Sequence, residues 1–164
     1  MPFPFPAGLT PRDTAHQQTE TLNDGSVIPL FSAASVAPTR EHAIAIARAA
    51  KRLNDLRERW LNPPEWTERV PEVIPLGMDA SPYPDRVLPR SNLGASDLAE
   101  LKKRTLTNLY NQRPAWLADA HAALDAAVTG AYGWADYSAA MTDNEILARL
   151  LALNHERVTD SKAQ

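Results

Sequence analysis

Apolar residues recur at helical spacing in four blocks of the chain, and proline-rich segments flank the first block. The first block spans residues 40–61, with Thr39 as the predicted N-cap and the Pro63–Pro64 pair as the terminator. Its apolar face consists of Ile46, Ala50, Leu53, Leu56 and Trp60. This spacing predicts an amphipathic helix with one buried face.

The other three blocks have recognisable start or stop signals. A helix is predicted over residues 97–110 with Ser96 as its cap, and another over residues 114–132, where a proline begins the helix and Gly133 stops it. The Thr-x-x-Glu spacing at residues 142–145 is typical of a capping box and predicts a fourth helix. We therefore predict an all-α fold, a small helical domain of about four helices with long Pro-rich extended segments.

The distribution of the 14 prolines divides the chain, because they crowd into residues 2–38 and 63–89. Each X-Pro step favours extended backbone in the preceding residue. We expect a Pro-rich extended arm over residues 1–38, a helical tail domain over residues 39–158, and a frayed terminus over residues 159–164. The tail domain includes a Pro-rich connector, residues 62–95, which is expected to drape over a partner surface.

Bulk composition excludes several classes of protein. The chain has 164 residues and a net charge of −3, which does not by itself indicate nucleic-acid binding. It contains no cysteine, so disulfides and thiolate metal sites are excluded. It has no apolar run of membrane-spanning length and no signal-peptide pattern, so we expect a cytoplasmic location and no membrane partner.

Asn62-Pro63-Pro64 is similar to the Asn-Pro-Pro-aromatic tetrapeptide of enzymes that methylate exocyclic amino groups. In those enzymes the aromatic residue stacks on an extruded base. Here Glu65 takes the fourth position, and a charged helix rather than a buried strand comes before the motif. The glycines also do not cluster into a turn that could hold a methyl donor. The interpretation we favour is a double-proline helix terminator.

A second pattern, Pro84-Asp85 followed by Glu100 and Lys102, mimics the Pro-Asp…Glu-x-Lys spacing of metal-dependent nucleases. Those enzymes place the two carboxylates on adjacent strands to ligate a divalent metal. Here Glu100 and Lys102 open a predicted helix, which favours a turn and a solvated helix start. We therefore predict no metal site and no catalytic residue.

One basic segment is a candidate for phosphate contact: Lys102, Lys103, Arg104 and Arg113. Amide and hydroxyl side chains accompany these cations, and such groups at a helix end are typical of contacts to a nucleic-acid backbone. The alternative is a solvated helix face with hydrogen bonds between helices. The residues alone leave both interpretations open.

Several segments together are similar to one family. The segments, in order, are FPFPAGLTP (3–11), AAKRLNDLRERWLNPPEW (49–66), YPDRVLPR (83–90), LKKRTLTNLYNQRPAWLADAHAALDAAVTGAYGW (101–134) and DNEILARLLALNHER (143–157). They resemble the C-terminal end of large bacterial class I adenine-N6 DNA methyltransferases, which are related to type IIL restriction–modification proteins. TLTNLYNQRPAWL is the most specific of these elements.

The resemblance implies a non-catalytic C-terminal fragment, because the family's catalytic and S-adenosylmethionine-binding residues lie upstream of this tail. S-adenosylmethionine is then the cofactor of the parent family, and this chain alone has none. The implied partners are the methyltransferase and target-recognition domains of the parent enzyme, together with double-stranded DNA. The alternative is an independent interaction or regulatory module that forms a homo-oligomer through exposed apolar residues: Phe3, Phe5, Trp66 and Tyr83.

Overall fold

The computed structural model describes residues 3–31 and 37–163, with side chains through residue 159. Five helices and two two-stranded antiparallel sheets lie in these residues. In chain order the elements are β1 (Thr19–Thr21), β2 (Val27–Pro29), α1 (Ala37–Leu61), β3 (Thr67–Val70), β4 (Arg86–Pro89), α2 (Ala95–Lys103), α3 (Leu106–Gln112), α4 (Ala115–Ala131) and α5 (Asp143–Ala163). The predicted helical character is confirmed, but the all-α class is corrected, because two hairpins are present.

The first hairpin pairs β1 with β2, in a register that places Glu20 opposite Ile28. Gly25 adopts a left-handed φ of 78°, and its N–H donates to the carbonyl of Leu22 at 2.9 Å. The carboxylate of Asp24 accepts the N–H of Ser26 at 2.9 Å, which stabilises the same turn. Asp-Gly between short strand-forming segments is a hairpin signal. Helical periodicity, on which the all-α prediction depends, does not detect a hairpin.

The second hairpin pairs the two ends of the predicted connector, since β3 and β4 are joined by residues 71–85. The turn after α1 prepares this pairing. The carbonyl of Pro63 accepts the N–H groups of Trp66 and Thr67, each at 2.9 Å. The N–H of Arg90 then donates to the carbonyl of Trp66 at 2.9 Å and extends the ladder beyond β4. The connector is therefore partly a sheet rather than wholly extended.

The predicted helix over residues 97–110 is two helices, with a break at Arg104 and Thr105. The hydroxyl of Thr105 accepts the N–H of Asn108 at 3.2 Å and caps α3. A threonine hydroxyl competes for backbone donors in this way and favours a cap over a helix interior. The predicted cap at Ser96 is wrong, because Gly94 is the N-cap of α2.

The remaining helix ends follow the local signals more closely. α1 ends at Leu61 as predicted, although it begins at Ala37, so that Thr39 lies in its first turn rather than at its cap. Gly133 terminates α4 with a φ of 74°. The N–H of Glu145 donates to the hydroxyl of Thr142 at 3.3 Å, which confirms the predicted cap of α5.

Contacts divide the chain into two units, which we call unit 1 (residues 1–51 and 120–164) and unit 2 (residues 52–119). The described buried residues of unit 1 are Pro4, Pro6, Ser26, Ile28, Ala43, Ala120 and Thr129; those of unit 2 are Leu53, Pro63, Thr67, Leu109 and Leu117. None of the described helices combines the length and apolarity needed to cross a membrane. Residues 1–2 and 32–36 of the predicted arm and residue 164 of the predicted terminus lie outside the described residues.

Arg149 of α5 binds the segment between α4 and α5 in unit 1 through Asp136. Its guanidinium donates to both carboxylate oxygens of Asp136, at 2.8 and 2.6 Å, and to Glu145 at 3.0 Å. It also lies 5.5 Å from the ring centroid of Trp134, which stacks on Tyr132 at 5.0 Å. The bidentate geometry makes this a strong ion pair.

The Asp136–Arg149 pair is expected to make stability depend on pH. Hydrogen bonds from Arg149 lower the pKa of Asp136 to about 2, below its usual value of 3.8. Because the folded-state pKa is depressed, the contribution is complete above the unfolded pKa of about 3.9. It is lost as the pH falls through 2. Urea unfolding of the wild type and of Asp136→Asn should give midpoints that differ most above pH 5 and converge near pH 2.

Asp119→Asn is the matched control for this measurement. Asp119 is exposed and forms no ion pair among the described side chains. Its variant should differ from the wild type by the same small amount at every pH. A constant difference for Asp136→Asn as well would contradict the assignment.

Candidate nucleic-acid interface

The basic segment lies where α2 meets α3 in unit 2. Lys102 and Lys103 occupy the last turn of α2, Arg104 stands in the break, and Arg113 is the C-cap residue of α3. Residues 101–118 carry these four cations and no acidic residue. The segment is therefore locally positive although the net charge of the chain is −3.

The two lysines present accessible ammonium groups. Lys102 is exposed and makes no hydrogen bond or ion pair among the described residues. Lys103 donates to Glu100 at 2.7 Å, but its side chain is 68% exposed. An exposed pair of this kind contributes little and exchanges readily for another anion. This pairing also places Glu100 in an ion pair with lysine, where the nuclease-like pattern would have made it a metal ligand.

Arg104 is held by its own unit. Its guanidinium lies 4.3 Å from the ring centroid of Trp66 and 5.6 Å from that of Trp60. It also donates to the carbonyl of Trp60 at 3.0 Å. Arg104 is half-buried, in contrast to both lysines. The guanidinium therefore joins the end of α1, the turn that follows it and the α2–α3 junction.

Arg113 ends α3 in an unusual backbone conformation. Its φ of 42° and ψ of 59° are left-handed, and its N–H donates to the carbonyl of Leu109 at 2.9 Å. A residue with a β-carbon pays roughly 1–2 kcal/mol in this region, which glycine avoids. The exposed Arg113 side chain projects from this cap immediately before Pro114. Glycine is the usual sequence signal for a left-handed cap, and arginine stands here instead. The conformation was therefore not predictable from the sequence.

The junction between α2 and α3 is closed by a side-chain amide. The Nδ2 of Asn108 donates to the carbonyl of Lys103 at 2.6 Å, and its backbone N–H donates to Thr105. Asn108 thereby bonds both sides of the break. The exposed Thr107 and Asn111 lie on the same short helix and add neutral donors beside the cations.

Asn62 lies at the end of α1, as the helix-terminator interpretation predicted. Its Nδ2 donates to the carboxylate of Glu58 at 3.2 Å, one turn back along the helix. Pro63 is buried, and its carbonyl also accepts the hydroxyl of Thr67 at 2.9 Å. The Asn62 side chain and the Pro63 carbonyl thus complete a helix end and a turn.

Two features escaped the sequence analysis. The tryptophan contacts of Arg104 join residues 38 or more positions apart, and no local pattern indicates them. Arg57 lies 5.9 Å from the ring centroid of Tyr110, and its Nε is buried without a hydrogen bond.

In the part of the chain that the structure describes, no three His, Asp or Glu side chains assemble as a metal site.

Residues 93–161 match the family model of the C-terminal domain of MmeI, a type IIL restriction–modification enzyme. The matched residues run from just before α2 into α5 and include all four candidate phosphate contacts. No curated protein and no solved structure matches the chain. This helical part of the chain is thus similar to the end of a restriction–modification enzyme, while both hairpins and α1 lie outside the match.

Proposed function

We propose that the chain serves as the non-catalytic C-terminal module of a bacterial adenine-N6 DNA methyltransferase of the type IIL kind, and that it contacts DNA phosphates. The match of residues 93–161 to the MmeI C-terminal domain carries this proposal. S-adenosylmethionine would be bound by other domains of the parent enzyme. The role of this chain is to pack against those domains and to add backbone affinity.

The arrangement of cations supports the phosphate role for three of the four predicted residues. Lys102, Lys103 and Arg113 are exposed, and no acidic residue interrupts the segment between them. Arg104 instead supports the junction that carries them. Contacts of this type position a protein on the duplex without reading its sequence. The module would therefore strengthen binding at any site that the recognition domain selects.

Exposed apolar pairs support packing on other domains. Leu106 and Tyr110 of α3 are 45% and 43% exposed, and Leu147 and Leu151 of α5 are 62% and 54% exposed. Each pair is spaced i, i+4, so its members lie on one face of their helix. Such exposed stripes mark interaction surfaces. The partners we propose are the target-recognition and methyltransferase domains.

The phosphate role predicts a change in the salt dependence of DNA binding. The double variant Lys102→Ala/Arg113→Ala should bind a labelled duplex roughly tenfold more weakly at low salt, because two phosphate contacts are lost. The slope of log K against log salt should become shallower by about two. Fluorescence anisotropy over a series of salt concentrations measures both quantities.

Arg52→Ala/Arg59→Ala is the matched control, since it removes two exposed cations of unit 2 from α1. Its slope should stay within experimental error of the wild type. Equal losses in both double variants would mean that binding follows net charge, and the proposed interface would be wrong. A wild-type chain that fails to bind duplex DNA at low salt would refute the phosphate role itself.

A further inference from the structure

Unit 1 contains an apolar groove with a volume of about 700 Å³. Its walls include Phe3 and Phe5 near the N-terminus, Val27 of β2, Val128 of α4 and Leu150 of α5, and we call it the unit 1 groove. Asp125 is the one charged residue among its described lining. A concave, mostly apolar cavity of this size is typical of a binding site.

Unit 2 presents an uncharged apolar turn, residues 73–78, which we call the tip. The exposed fractions of its large side chains are 54% for Val73, 51% for Ile74, 105% for Leu76 and 49% for Met78. The N–H of Met78 donates to the carbonyl of Pro75 at 3.0 Å, and Gly77 has a φ of 85°.

This geometry holds Leu76 at the corner of a tight turn. A glycine at the third position allows the positive φ that the turn requires. A β-carbon built on Gly77 would meet no atom within 4 Å, so the space beside this glycine is open. Four large apolar side chains gathered in a turn of this kind mark an interaction site.

We propose that the tip of one copy of this chain inserts into the unit 1 groove of a second copy. The uncharged residues of the tip match the almost uncharged lining of the groove. The tip is flanked by Glu72 and Asp79, which carry negative charge. The surroundings of the groove supply positive charge at one end.

Two arginines provide that positive charge. Arg157 interacts electrostatically with Tyr132, which lines the groove, and with Asp13, which precedes the lining residue Thr14. Arg12 also acts on Asp13, whose carboxylate already accepts the N–H of Thr10 at 3.0 Å. The two arginines outnumber the Asp13 carboxylate and leave one positive charge at this end, which the acidic flanks of the tip complement.

Interface size argues for a reciprocal pair of contacts. A stable interface buries about 800 Å² per partner, which is more than four exposed side chains supply. Two tip–groove contacts related by twofold symmetry would double the buried area. We therefore expect a homodimer. The tip lies outside residues 93–161, and neither surface includes Lys102 or Arg113, so self-association is independent of DNA binding.

Cysteine crosslinking tests the contact directly, because the chain has no native cysteine. Leu76→Cys marks the tip, and Val27→Cys marks the groove at a side chain that is 54% exposed. An equimolar mixture of the two variants, oxidised without DNA, should give the mixed L76C–V27C disulfide as the main product. Tyr83→Cys is the matched control, since Tyr83 is 57% exposed in the same connection but lies outside the tip.

Sedimentation equilibrium provides a second, independent measurement. The wild type should dimerise with rising concentration, Leu76→Asp should weaken the dimer at least tenfold, and Tyr83→Asp should leave it unchanged. A wild type that stays monomeric and crosslinks no better than the Y83C control would overturn the proposal. So would a predominance of L76C–L76C disulfide, which means tip-to-tip contact, or an intrachain disulfide in monomeric V27C/L76C.

Discussion

Leu109→Ala is expected to lower the free energy of unfolding by about 3–5 kcal/mol, the range for a leucine removed from a rigid core. Leu109 is 0% exposed and is the one buried residue of α3, a helix of seven residues. A helix this short has little intrinsic stability and depends on its packing. Loss of the leucine should therefore also loosen the junction that carries the basic segment. Urea unfolding followed by tryptophan fluorescence measures the change.

Leu106→Ala is the matched control for this prediction. Leu106 lies in the first turn of the same helix but is 45% exposed, so its truncation leaves no cavity. We expect it to cost less than about 1 kcal/mol. Similar losses in the two variants would mean that α3 is not anchored through Leu109.

Arg104→Ala is expected to cost about 2–3 kcal/mol of unfolding free energy. The change removes a charged hydrogen bond to the carbonyl of Trp60, for which about 1.5–3 kcal/mol is typical. It also removes contacts with two indole rings, each of about 0.5–2 kcal/mol. These contributions are not additive, because one guanidinium makes all of them. Arg104→Lys should recover only part of the loss, since lysine lacks the planar fork.

The same variant separates a supporting role of Arg104 from a phosphate contact. Lys102→Ala, two positions away and exposed, should change stability by less than about 0.5 kcal/mol. In the anisotropy measurement, Arg104→Ala should leave the salt slope unchanged. A shallower slope without any loss of stability would mean that Arg104 contacts phosphate instead of holding the junction.

Local signals predicted helix ends well where a cap or a proline decides them. Pro63–Pro64 removes backbone donors, Thr142 supplies a capping hydroxyl and Gly133 tolerates a positive φ, so each acts within a few residues. The break at Thr105 rests on the same physics. Its hydroxyl caps α3, but a threonine within an apolar periodic pattern gives no sign that it will interrupt a helix.

The candidate site was only partly predictable. The four cations are evident in the sequence as an uninterrupted basic segment. The sequence does not show that Arg104 is less accessible than the other three cations, because its partners are tryptophans 38 and 44 positions away. Only a folded unit 2 brings these rings to the guanidinium and leaves Lys102 exposed beside it.

The sequence by itself thus determined which segments are helical, where most helices stop and where positive charge collects. The reason is that caps, prolines and apolar spacing act between near neighbours. The tertiary structure alone decided that β3 pairs with β4 across residues 71–85, that Arg104 is held by Trp60 and Trp66, and that the tip is left exposed. Those outcomes depend on contacts between distant residues, whose energies no local pattern encodes.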